Sequence, residues 1–483
     1  MGVLSNLEPN KVFYYFEEIT KIPHASRQTK QISDFLVNFA KERNYRYIQD
    51  ESNNVVIFKN ATPGYENAPT VILQGHTDMV TEKAPESAHD FSKDPLELMI
   101  EGDFITAKDT TLGADDGIAV AYMLAILDSK ELAHPALECI FTSDEEIGLL
   151  GATALDCSEL KGSMMINIDS EEEGALWVGC AGGLTGVSKI PVKHESVNGL
   201  GVEVLIDGLK GGHSGAEIDK HRANANILMG RFLHQVSTEL DFSIVSLAGG
   251  LKDNAITRQT RALLVMEEAN LAAFEKMATD HTAYFRDEYS GTDEGITVSV
   301  KVLDKKEYQA IDRVSKEKVL FFLMNIPMGI QKMSGEIEGL VETSTNLGIL
   351  DLKEEYLLAS SSVRSSKKSG KEALAEKHRY LTEFLGGEFL AEGSYPAWEY
   401  KKDSRLREIM KEAYQEELQV EPKVVVIHAG LECGLFYEKI KNLDCVSFGP
   451  TMHGIHTTEE ELSISSTERM WRYLVKVLES IKE

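Results

Sequence analysis

No stretch of this chain is apolar for long enough to span a membrane, so a helical membrane protein is not expected. Positive charge is scarce. The 50 Lys and Arg stand against 78 Asp and Glu, a formal net charge of −28. Phosphate contacts need basic patches and none is visible, so neither nucleic acid nor an anionic membrane is an expected partner. Cysteine is thin as well. The five (Cys139, Cys157, Cys180, Cys433 and Cys445) are odd in number and never spaced as CxxC. They read as buried thiols in a reducing compartment, not as a disulfide frame or a zinc knuckle. The opening MGVLSNLEPN has no basic segment followed by an apolar run, and Asn6 stands where myristoylation wants Ser or Thr. A cytoplasmic protein without a signal peptide is the expectation.

The 483 residues, 42% hydrophobic and 27% charged, suit a globular protein of two or three domains with a substantial core. Up to about residue 185, short β-rich runs at 55–59, 70–74, 137–142 and 164–168 alternate with helical stretches such as 117–129. That alternation predicts an α/β layer with a mostly parallel sheet. Near Gly182-Gly183 the texture changes. Strand-like segments at 202–209, 243–247, 261–267 and 297–302 then accompany helical ones from Asn224, at 271–286 and at 316–324, which predicts one or two inserted α+β units. From about Trp398 the first pattern resumes, with a helix at 404–417, the strand KVVVIH, a helix at 432–437, a strand at 445–448 and a closing helix from Ser466. The expected organisation is a discontinuous catalytic domain, 1–185 and 399–483, interrupted by an insert at 186–398.

Several β runs end abruptly in His, Asp or Glu: QGHTD, TSDEE and INIDS. In open α/β sheets, ligand sites gather at the carboxyl ends of the strands, so these residues should converge on one edge. His76 and Asp78 lie two apart at a strand end, where alternation puts them on one face. Leu112-Gly113-Ala114-Asp115-Asp116-Gly117 opens an apolar helix, with two adjacent acids between glycines. Glu145-Glu146 and Asp169 follow further strands, and His453 and His456 follow Gly449-Pro450-Thr451. Each signal alone is modest, since acids are common at helix starts and Glu pairs usually mark solvated turns.

In order, His-x-Asp, Asp-Asp-Gly, Glu-Glu, Asp and His resemble the di-zinc peptidase superfamily that includes glutamate carboxypeptidase, aminoacylase and carnosine dipeptidase. The segments IDSEEEG, CAGG, GGHSG, NAITR and GPTMHGIHT are similar to its cytosolic aminoacyl-histidine (Xaa-His) dipeptidase branch. The resemblance implies a dinuclear metallopeptidase. His76 and Asp169 would hold one ion, Glu146 and His456 the other, and Asp115 would bridge them. Asp78 would orient His76 through its other ring N–H, and Glu145 would be the general base. The ligand set, histidine and carboxylate without thiolate, suits zinc, with cobalt or manganese as substitutes. Three ligand carboxylates plus a bridging hydroxide balance two divalent ions. The resemblance also implies a cis Asp115–Asp116 bond.

The insert would form a lid that reads the substrate. His213 in GGHSG resembles the superfamily's lid histidine, an oxyanion donor that sometimes comes from a partner subunit, so a homodimer is compatible with the resemblance. Asn254, Arg258 and Arg364 are candidates for gripping a terminal carboxylate, and Glu432 for facing a free amine. His453 is a candidate support for His456. The implied substrate is a dipeptide with a free N-terminus. An aminotripeptidase or N-acyl amino-acid amidohydrolase of the same fold, or a non-catalytic peptide-binding relative, remain as alternatives.

Overall fold

The runs at 71–76, 137–142 and 164–167 are apolar without alternation, the pattern of strands covered on both faces. In the computed structural model, which describes residues 2–482, they are buried at every position. Val71–His76 lies between Leu137–Thr142 and Met164–Asn167, parallel to both, and Asp444–Ser447 pairs in parallel with Met164–Asn167. These four form the centre of an eight-stranded sheet. Its full order is Arg46–Gln49, Val55–Lys59, Leu137–Thr142, Val71–His76, Met164–Asn167, Asp444–Ser447, Ala175–Cys180 and Lys423–Ile427.

The expectation of a mostly parallel sheet holds for that centre and not for the margins. Arg46–Gln49 with Val55–Lys59, Val55–Lys59 with Leu137–Thr142, and Asp444–Ser447 with Ala175–Cys180 all pair antiparallel. The first pair is joined by too few residues for the crossover that a parallel partner requires. Helix Ala114–Asp128 is apolar all round and buried from Ala114 to Leu127, as a helix without a polar face must be. It packs against helix Asn10–Ile19 and strand Val71–His76. A small antiparallel sheet in the same unit runs Met452–His453, Glu461–Ser463, Phe104–Ala107, Leu98–Glu101.

The chain divides into two units. The first holds the residues up to Cys180, Trp398–Val426 and those from Leu431 onward; the second holds Ala181–Ala397 and Ile427–Gly430. That last short return lies within the stretch after 398 that the sequence pattern assigns to the catalytic part. It is held by the Ala181 N–H, which donates to the carbonyls of Ile427 and Ala429, and by His428 Nε2 against Ser344 Oγ at 2.7 Å. The second unit contains one nine-stranded antiparallel sheet rather than two separate α+β units. Helices Ala225–Ser237, Leu271–Glu288 and Arg313–Asn325 share a single apolar cluster with it, including Leu228, Phe232, Phe274 and Phe322. All five cysteines are free, and four are buried. Among the described residues no helix is long and apolar enough to cross a membrane.

Candidate metal centre

Parallel register aligns the carboxyl ends of the central strands: His76 stands opposite Thr142, and Gln74 opposite Asn167. The residues just beyond those ends therefore meet. Glu145 and Glu146 follow Asp144, whose φ of 52° bends the chain off the strand, so neighbouring side chains escape strict alternation. Asp115 and Asp116 interrupt the start of their helix with non-helical angles after Gly113 at φ 69°, and the bond between them is cis. His456 also sits in the left-handed region, at φ 62°, in the turn between Met452–His453 and Glu461–Ser463.

The geometry centres on Asp115. Its Oδ1 lies 3.1 Å from His76 Nε2 and its Oδ2 lies 3.1 Å from His456 Nε2, so its two oxygens face two different imidazoles. Asp169 Oδ1 is 3.7 Å from His76 Nε2, and Glu146 Oε1 is 3.0 Å from His456 Nε2. Donor atoms of His76, Asp116 and Asp169, of His76, Glu145 and Glu146, and of Asp115, Glu146 and His456 each fall within 4.8 Å of one another. Of these, Asp116 has one oxygen engaged, Oδ2 accepting the His76 main-chain N–H at 3.1 Å, while its buried Oδ1 has no hydrogen-bond partner among the described residues.

These residues fit a metal. His76 Nδ1 donates to the Asp78 main-chain carbonyl at 2.9 Å, which leaves the Nε2 lone pair facing Asp115 and Asp169. Glu146 Oε1 is buried and, among the described residues, makes no hydrogen bond although His456 Nε2 is so near. His76 Nε2 and His456 Nε2 each lie within hydrogen-bond distance of one Asp115 oxygen, and the Asp169 and Glu146 carboxylates crowd the same two points, a nitrogen and oxygen donor set of the kind that surrounds a cation.

The electrostatics point the same way. Burial alone would push His76 down, but the Asp115 and Asp78 carboxylates hold it well above its ordinary value. The Asp115 and Glu146 carboxylates beside it lift His456 to about 10. Burial pushes Asp169 and Asp116 well up, and pushes Glu145 up to about 8, with Glu432, Glu146 and Asp115 adding to the Glu145 shift. So many carboxylates in one buried place call for positive charge beyond two histidines.

Asp78 differs from its expected role. Its carboxylate Oδ1 is 3.6 Å from His76 Nδ1, while the main-chain oxygen takes that ring's hydrogen bond. The carboxylate instead accepts from Ser26 Oγ at 2.8 Å and from the N–H groups of Glu145 at 3.0 Å and Glu146 at 3.4 Å. Glu432 is fully buried, with Oε2 accepting from Gln74 Nε2 at 2.6 Å and Thr142 Oγ1 at 2.7 Å, while its Oε1 has no hydrogen-bond partner among the described residues. His453 does not support His456. It pairs with Glu461 Oε1 at 2.9 Å and lies beside the Phe104 ring. Ser26 and Glu460, which bonds the main chain at 112–115, escaped the sequence reading because a lone Ser and a Glu run carry no distinguishing pattern.

In the second unit, His213 Nδ1 accepts from the N–H groups of Ala216 at 2.9 Å and Gly215 at 3.3 Å, which puts the ring proton on Nε2. Arg364 is buried, with Nη1 donating to Tyr395 Oη at 2.9 Å. Its buried Nε has no hydrogen-bond partner among the described residues. His213 and His428 lie near it: a Cβ built on Gly215 would stand 3.0 Å from Arg364 Nε, 3.0 Å from His213 Cε1 and 2.6 Å from the His428 carbonyl. Burial and the Arg364 charge lower both histidines, His428 to about 4. Arg258 is exposed, its Nε on the Leu209 carbonyl at 3.3 Å, and Asn254 is exposed, its carbonyl accepting from Ser214.

The chain is similar over its whole length to known peptidases. The cytosol non-specific dipeptidase of Escherichia coli (strain K12) is 34% identical over 484 residues, spanning 100% of this chain and 99% of its own length. The crystal structure of aminoacylhistidine dipeptidase from Vibrio alginolyticus superposes with a TM-score of 0.94 at 36% identity, covering 100% of this chain and 99% of that one. Aminopeptidase PepT from Bacillus cereus shares the fold at 15% identity and a TM-score of 0.56, over 99% of this chain and 100% of its own. The model of peptidase family M20/M25/M40 matches residues 72–480, a span that runs from the His76 strand through Asp115, the glutamate pair and Asp169 to His456, and the chain belongs to that family.

Proposed function

We propose that this protein is a cytoplasmic dipeptidase that hydrolyses dipeptides with a free N-terminus, of Xaa-His or broader specificity, using two divalent metal ions. The observation that carries the reading is Asp115, whose two oxygens face His76 and His456 separately, each histidine with its own further carboxylate. His76 and Asp169 would hold one ion and Glu146 and His456 the other, with Asp115 placed to serve both. Zinc suits this donor set, with cobalt or manganese as substitutes. The full-length likeness to dipeptidases supports the substrate class.

When bound, the metals supply Lewis-acid polarisation of the scissile carbonyl and an acidified water. The chain does the rest. Glu145, just past the strand end with its main chain held by Asp78, takes the proton of the attacking water and returns it to the leaving amine. Asp78 holds the main chain of Glu145 and Glu146 so that the base and the ligand keep their places. His213, with its proton on Nε2, donates to the carbonyl oxygen as charge develops. Arg364, buried with Nε unmatched, grips the terminal carboxylate, and Arg258 and Asn254, both exposed, are secondary contributors at most.

The test is hydrolysis of free dipeptides, tripeptides, N-acetylated and C-amidated dipeptides by chelated and metal-restored enzyme. Metal-dependent cleavage confined to free dipeptides is expected. Preference for N-acetylated substrates would move the assignment to an amidohydrolase, and preference for tripeptides to an aminotripeptidase.

A further inference from the structure

His456 sits in a hairpin closed by the pairs Met452 with Leu462 and His453 with Glu461. Within the same hairpin, Glu460 turns inward and is only 3% exposed. Its Oε2 accepts from the N–H groups of Leu112 at 2.8 Å and Gly113 at 3.1 Å, and its Oε1 from those of Ala114 at 2.8 Å and Asp115 at 3.4 Å. These are donors at the start of helix Ala114–Asp128, a terminus that its own N-cap residue cannot serve, because Gly113 has no side chain. The two acids of the first turn do not serve it either. Asp115 faces the histidines, and Asp116 takes the His76 N–H.

We propose that Glu460 is a positioning residue for the shared ligand Asp115. One carboxylate grips the four main-chain groups that lead into Asp115, and so fixes where the Asp115 oxygens stand. Because Glu460 belongs to the hairpin that carries His456, it also ties Asp115 to the half-site that holds the most exposed ligand candidate, His456, at 46% side-chain exposure. Loss of the grip should loosen both half-sites together, whereas loss of a single ligand should empty one. This inference rests on the reading that Asp115 belongs to two metals.

The test is titration of metal-free protein with Co²⁺, followed by its d–d absorption, for wild type, Glu460→Ala, Glu460→Gln and His456→Ala, alongside thermal melting of each metal-free chain. Wild type should saturate at two ions and His456→Ala at one. Glu460→Ala should bind both ions more weakly, by roughly ten- to a hundredfold, the range seen when groups behind a ligand are removed. It should also lower kcat more than it changes KM. Glu460→Gln keeps one acceptor oxygen for one pair of N–H groups and should fall between, which carries the comparison if the alanine variant does not fold. If wild type takes only one ion, the two-metal reading falls and this inference with it. If wild type takes two and Glu460→Ala matches its affinities and kcat while only melting earlier, Glu460 is a plain helix cap and the inference is overturned.

Discussion

Asp78→Asn separates two jobs that one residue could hold. The imidazole of His76 is oriented by the Asp78 main-chain oxygen at 2.9 Å, which the substitution leaves in place. The carboxylate, by contrast, holds Ser26 and the N–H groups of Glu145 and Glu146. An amide of the same shape has one oxygen where the carboxylate has two. One or more of those donors therefore loses its acceptor, and the others face a neutral oxygen. Hydrogen bonds to an ionised group are worth about 1.5–3 kcal/mol, so the loss should be roughly ten- to a hundredfold in kcat. Metal binding should weaken only at the half-site of Glu146, whose N–H loses part of its acceptor, and stay near wild type at that of His76, whose tautomer is untouched. The assay is steady-state hydrolysis of a dipeptide with metal content measured on the same sample. Loss of metal from the His76 half-site in parallel with activity would refute the reasoning and return the carboxylate to His76.

Glu145→Gln should keep its metal and lose turnover by about 10²–10⁴-fold, the usual range for a general base. Glu146→Gln should weaken metal binding first; equal metal loss in both variants, measured by metal analysis, would exchange or cancel these roles. Arg364→Ala should raise KM for free-acid dipeptides by tenfold or more and leave amidated ones little changed, whereas Arg258→Ala should do much less; the reverse order would move the carboxylate site to Arg258. Burial holds His378 and His428 neutral, each lowered to about 4 from an unfolded value of 6.5. The unfolded chain thus takes up their protons first, and stability present above pH 6.5 is lost as pH falls toward 4, by up to roughly 3 kcal/mol per histidine. Denaturant melts between pH 7 and 4 should show that slope, and His378→Gln should flatten it; an unchanged slope would mean His378 is not the group involved.

The sequence by itself determined which residue types stand at which strand ends. His76, Asp78, the Asp115–Asp116 pair, Glu145, Glu146 and Asp169 each follow or open a short apolar element, and that signal is local, written in a few adjacent positions. Their convergence followed from the parallel centre of the sheet, which aligns carboxyl ends whatever the margins do. Tertiary structure alone decided how each buried polar group is satisfied. The main-chain oxygen of Asp78 takes His76 while its carboxylate takes the glutamate turn, Glu432 is enclosed by Gln74 and Thr142, and Glu460 reaches back to residues 112–115. Arg364 and Arg258 look alike as letters, yet one is buried with an unmatched N–H and the other is exposed. The physical reason is common to all of these. A hydrogen-bond partner is chosen by whichever groups the fold excludes from water together, and those groups lie far apart along the chain.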